Sequence, residues 1–77
     1  MDILSQEQLD QILSDHALFL ALDPLGIQAS FAGMDCRGLA FGSTDLSQAD
    51  MRFADFTGAN LSGAILPDQS LMVGSQF

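Results

Sequence analysis

Every fifth residue from Phe31 to Leu71 is bulky and apolar, or else cysteine: Phe31, Cys36, Phe41, Leu46, Met51, Phe56, Leu61, Leu66 and Leu71. Two residues before each stands a second column, Ala29, Met34, Leu39, Thr44, Ala49, Ala54, Ala59, Ala64 and Gln69, most of it small. A period of five fits neither a helix at about 3.6 residues per turn nor a flat strand at about 2, so the chain must turn a corner once per unit. The expectation is a stack of short repeats in which each layer buries the next.

Stacking suits a chain of 77 residues, because a single ordinary core of that size only marginally offsets chain entropy. Nine aspartates and one glutamate oppose two arginines, Arg37 and Arg52, for a formal charge of −8. Charge of that size adds self-repulsion and so bears on solubility and partners rather than on the fold. It predicts a basic partner and argues against direct binding of DNA or RNA. One cysteine excludes an internal disulfide framework and fits a reducing compartment. Met1-Asp2-Ile3-Leu4 lacks the basic start and apolar run of a signal peptide, and no segment is apolar enough to span a membrane. The expected setting is the cytoplasm of a bacterial host.

Residues 1–28 read as an N-terminal cap and 29–77 as the repeat, in one domain. Ser5 to Leu22 has the pattern of an amphipathic helix: Ser5 with Gln8 forms a capping-box signature, Glu7 suits the positive N-terminus, and Asp23-Pro24-Leu25-Gly26 supplies the stop. Leu9, Ile12, Leu13, His16, Phe19 and Leu20 share a stripe that would cover the open end of the stack.

The repeat resembles the pentapeptide-repeat family, whose consensus is Ala-(Asp/Asn)-Leu-X-X; Ala49-Asp50-Met51, Ala54-Asp55-Phe56 and Ala59-Asn60-Leu61 carry it most clearly. The resemblance covers residues 29 to about 73. It implies an all-β solenoid with an α cap: a right-handed, four-sided β-helix with four units per coil, about two coils in all, the large and the small column both pointing inward. Met34 and Leu39 are oversized for the small column and are expected to fill the space between cap and first coil. Cys36 is undersized for the large column and reads as a small buried hydrophobe. After Leu71 the next register position is Gln76, so the pattern stops there. Leu66, Leu71, Met72, Val73 and Phe77 are left near an open end, which predicts a homodimer through the C-terminal coil, with truncation of a longer chain as the alternative.

Catalytic constellations are missing. His16, the single histidine, lies on the helix stripe and reads as a packed side chain; Asp15 points about 100° away from it, and no third group completes a triad. Aspartates repeating along an axis do not converge on a metal ion. Gly33, Gly38, Gly58 and Gly63 sit in register at corners rather than in a phosphate loop. No enzyme activity, cofactor or metal is expected.

What remains is the column just before the large inward residue: Ser30, Asp35, Ala40, Asp45, Asp50, Asp55, Asn60, Ile65 and Ser70. With four units per coil, Asp35 and Asp55 would stack one rung apart, about 4.8 Å, while Asp45 and Asp50 occupy other sides. Asp10, Asp15 and Asp23 extend the acidic surface onto the cap. One reading is a solvated surface, since Asp and Asn suit turns and the consensus contains them. The other is mimicry of nucleic acid: duplex DNA carries about one charge per 1.7 Å, so a stack roughly 11 Å tall needs on the order of six or seven charges, close to what coil and cap supply. The resemblance implies the same, because some family members bind DNA gyrase as long dimeric rods, and small phage-encoded anti-CRISPR members act on the type I-C Cascade complex as DNA mimics. The leading expectation is an inhibitor that occupies a basic DNA-binding groove, with Cascade as target and gyrase as alternative. The rival is a non-inhibitory assembly module, for which Phe53, at an outward corner, is the contact residue to watch.

Overall fold

The residue preceding each large apolar one is where successive turns of the chain meet. In the computed structural model, which describes residues 2–77, parallel bridges join Ser30 to Asp50, Asp35 to Asp55, Ala40 to Asn60 and Asp45 to Ile65. Each pair is twenty residues apart, so four pentapeptides complete one coil and give it four sides. Every side carries at least two rung-to-rung hydrogen bonds: Phe31 N–H donates to Asp50 C=O (2.7 Å) and Asp50 N–H to Ala29 C=O (3.0 Å), the same pair recurs at Cys36/Asp55, Phe41/Asn60 and Leu46/Ile65, and Gly33 N–H to Arg52 C=O and Gly38 N–H to Thr57 C=O add a third on two sides. The chain is a β-helical solenoid capped by a helix.

The inward columns make the core. Phe31, Cys36, Phe41, Leu46, Met51 and Phe56 are buried, as are Ala29, Leu39, Ala49 and Ala54 of the small column. Cys36 lies under Phe56, whose ring meets Phe31 and Phe41 of the first coil edge-on at 6.1 and 5.7 Å between centroids. The volume that Cys36 leaves unfilled is thus available to three interlocking rings, a geometry aromatic pairs favour. Burial pushes the Cys36 thiol up to about 11, with Asp35 and Asp55 adding to the rise, so it stays protonated and inert. Thr44, polar in an inward column, donates its hydroxyl to Phe41 C=O at 2.6 Å.

Helix α1 spans Gln6–Leu20 with Ser5 as its cap, ending two residues before the expected Leu22. The capping box forms in full: Gln8 N–H donates to Ser5 Oγ, and Ser5 N–H to Gln8 Oε1. The helix ends where the chain reverses through Leu22, at φ +62°. Leu9 and His16 are its buried residues, with Ile12 and Leu13 packed against the core. His16 is the hinge between cap and coil: Ala29 N–H donates to Nδ1 (3.0 Å), which leaves Nε2 as the donor to Ser47 C=O (2.8 Å). The Gln6 carboxamide pairs with both backbone groups of Ala40, at 2.8 and 3.0 Å. Leu39 lies in the same buried cluster as Leu4 and Leu9 of the cap, and Met34 packs against that cluster.

Both ends depart from the expected pattern. Residues ahead of the helix were assigned to the cap, yet Ile3 bridges to Asp35, and Asp35 N–H and Leu4 N–H close the pair with Asp2 and Asp35 carbonyls. They add a short rung below the first coil. At the other end the ninth unit is out of register. A 3₁₀ turn at Gln69–Leu71 inserts one residue, and the ladder resumes with Asp55 bridging to Gln76, twenty-one residues on. Leu71 and Gln69 therefore leave the inward columns; Met72 takes the large position and Ser75 the small one. Phe77, not Gln76, continues the column, stacking on Phe56 at 5.5 Å. Leu66 keeps its register but is exposed, with no further rung over that side among the described residues.

Replacing His16 by Ala strands two buried backbone groups, each costing about 1–3 kcal/mol. Urea denaturation should show a loss of about 2–4 kcal/mol for His16→Ala, and a much smaller one for Gln6→Ala on the exposed side of the same cap.

Candidate functional site

Each acidic residue of the outward column closes a corner before it can do anything else. Asp35, Asp45, Asp50 and Asp55 accept, through Oδ1, the backbone N–H two residues on, from Arg37, Ser47, Arg52 and Thr57, at 2.9–3.1 Å. Asn60 does the same for Ser62 at 3.0 Å. A short acceptor side chain is what such a turn demands, since the corner N–H has no rung to pair with. The consensus Asp/Asn therefore has a structural cause in this chain. Asp68 holds Ser70 and Asp23 holds Leu25 in the same way.

Both arginines are committed as well. Arg37 grips Asp35 with two bonds, Nε to Oδ1 at 3.0 Å and Nη2 to Oδ2 at 2.8 Å, and its Nε stands 4.0 Å from Asp55 Oδ2 on the next rung. Arg52 grips Asp50 identically, at 2.9 and 2.8 Å. The side chains of Asp35, Asp50 and Asp55 are only 10, 18 and 20% exposed. Four repeat carboxylates against two cations leave a net −2 on the coil sides, half of what a count of aspartates implies. Asp35 is buried and gripped by Arg37, which makes it the least exposed of the four. Asp45 is exposed, caps only Ser47 and pairs with no cation, which makes it the most available of the four.

The cap acids differ in kind. Asp10 and Asp15 accept from the Gln6 and Gln11 carboxamides, each at 3.0 Å, and Asp23 closes its own turn. None of the three is paired with an arginine. Phe53 does stand at an outward corner, at φ +61° and well exposed. A Cβ on Gly74 would lie 2.4 Å from Phe53 Cδ1, so the ring rests against that glycine and Phe53 N–H donates to Val73 C=O. Val73 and Phe77 are exposed at the same end, while Leu71 and Met72 are half-buried. Among the described residues there is no cleft, no group of three acidic, histidine or cysteine side chains able to share a metal ion, and no helix long and apolar enough to cross a membrane.

The signal that the sequence reading missed is the arginine spacing. Both arginines follow an aspartate by two, Asp35-Cys36-Arg37 and Asp50-Met51-Arg52, which at a corner brings guanidinium and carboxylate onto the same outer face.

Hydrogen bonding holds the carboxyls of Asp35, Asp45, Asp50, Asp55 and Asp68 below the ordinary aspartate range; the donors are Arg37, Ser47, Arg52, Thr57 and Ser70. Carboxyls depressed on folding contribute stability that is complete above their unfolded value, about pH 4, and that is lost as pH falls through the folded values. Thermal melts in 0.5 M salt should hold level from pH 7 to about 5 and drop progressively below about 4. Asp45→Asn, which keeps the Oδ1 acceptor, should melt closer to wild type at pH 7 than Asp45→Ala does.

Residues 27–67 match the family model for pentapeptide repeats, in eight copies. The match stops at Pro67, just before the turn that shifts the register. No curated protein and no solved structure gives a significant match. Eight in-register units, returning on themselves every twenty residues, place this chain in the pentapeptide-repeat family.

Proposed function

We propose that this protein is an acidic binding module, not an enzyme, that occupies a basic groove otherwise filled by nucleic acid. Its coil is taken as the right-handed, square form of the β-helix. One observation carries the reading: both arginines are held in bidentate pairs within the chain, so the described surface offers a partner carboxylates and no free arginine. A partner of this surface is therefore basic, and steering by opposite charge favours its groove over any acidic polymer. Asp45, Asp10, Asp15 and Asp23 are the residues assigned to the contact, with Asp55 contributing part of its charge. Asp35 and Asp50 shape the corners instead.

Within this reading the inhibitor acts in the bacterial cytoplasm, on type I-C Cascade as the first target and on DNA gyrase as the second. Duplex DNA competing for purified Cascade should be displaced by the chain, with displacement weakening as salt rises. Asp10→Lys combined with Asp45→Asn should reduce it more than tenfold with little change in the melting temperature, because neither residue is paired with an arginine and asparagine keeps the acceptor for Ser47 N–H. Displacement unchanged by those substitutions sinks the mimicry reading, and a parallel supercoiling assay separates gyrase from Cascade.

A second reading is favoured by the unfinished third coil. Leu66, Val73 and Phe77 stand exposed there beside half-buried Leu71 and Met72, and the sides of Asn60 and Ile65 have no rung above them. A homodimer through this end covers both the apolar surface and the open ladder. Sedimentation at high salt, where repulsion between two −8 chains is screened, should give a dimer that Phe77→Asp converts to monomer.

A further inference from the structure

The loop after α1 carries three large aliphatic side chains that folding does not use. Leu22, Leu25 and Ile27 are 91, 76 and 62% exposed within six residues. Single exposed leucines are ordinary, but three in one short loop are not. Leu22 adds a second oddity. It holds φ +62°, a left-handed conformation that is strained for a branched residue and that glycine would adopt freely.

The loop is also rigid. Asp23 N–H donates to Leu18 C=O, Gly26 N–H to Asp23 C=O and Ile27 N–H to Asp15 C=O, at 2.9–3.1 Å, and Asp23 Oδ1 accepts from Leu25 N–H at 2.8 Å. Gly26 sits so close to the helix end that a Cβ would fall 2.2 Å from Phe19 N. Side chains on a framework this constrained lose little freedom on binding, the condition under which apolar anchors contribute most to affinity. The surroundings specify the partner. Asp15 and Asp23, whose backbone carbonyls tie the loop down, put two carboxylates at it, and residues 2–28 contain no lysine or arginine. A second copy would bring the same two acids against these.

We propose that the Leu22–Ile27 loop is a preformed apolar plug for a protein pocket with an apolar floor and a rim of lysine or arginine. It acts at the cap and does not depend on mimicry by the coil: failed displacement of DNA leaves it standing.

Photo-crosslinking of the full chain in a bacterial lysate at low salt tests it, with Leu25→benzoylphenylalanine as the probe and Ser14→benzoylphenylalanine, on exposed helix surface, as the control. The expected result is a crosslink from position 25 to an apolar segment of another protein with lysine or arginine beside it. That crosslink should fall at least fivefold when Leu22→Asn is added, with the melting temperature not lowered, since Asn tolerates the left-handed turn. Crosslinks to a second copy of the chain, to lipid, to an acidic or wholly polar segment, or at no more than the Ser14 level would each overturn the proposal.

Discussion

Two or three backbone hydrogen bonds per side, repeated every twenty residues, hold this molecule together. Each bridge joins a single residue to the neighbouring rung before the chain turns a corner, so the ladder gains little strength from length. Strength comes instead from columns. The ladder sets Phe56 over Cys36 and Met51 over Phe31, and those contacts keep water from the rung bonds. Where the ladder ends, core formation ends too, which is why Leu66 keeps its register and is still exposed.

The aspartates have two roles, and the structural one comes first. A carboxylate that accepts a corner N–H is anchored close to the backbone, and an arginine two residues later then folds back onto it. Asp35 and Asp50 thereby lose the outward charge that the same column offers at Asp45. Asn60 makes the corner bond without any charge. Wherever the column carries Asp and no arginine follows, negative charge remains beyond structural need, and that surplus motivates the proposed binding to a basic groove. The net charge of −8 is consequently carried more by the cap and the ends than by the sides of the coil.

Much of this was readable beforehand because a five-residue period admits few packings. The inward columns from Phe31 to Phe56, the capping box at Ser5 and Gln8, the packed role of His16 and the outward corner at Phe53 all follow from spacing and side-chain type. The ninth unit was misread because a one-residue insertion is invisible when an apolar residue also occupies the old register: Leu71 and Met72 both satisfy a hydrophobic column, and only the rung to which Gln76 pairs distinguishes them. Similarly, Ile3 and Leu4 give no repeat to read, and their pairing with Asp35 depends on where α1 lays them down.

The amino-acid order alone determined the coil, since a large side chain every five residues with a small one two before it can be buried only by stacking. It also set the total charge. Tertiary structure decided the cross-rung part of its neutralisation, because the approach of Arg37 to Asp55 requires two rungs to be side by side, whereas the Arg37–Asp35 and Arg52–Asp50 grips are local to one corner. It likewise decided the register of the C-terminal turn and the rigid exposure of Leu22, Leu25 and Ile27 on the far side of the cap. All three rest on contacts between segments distant in the chain or on the path of the backbone between them, and local spacing carries no record of either.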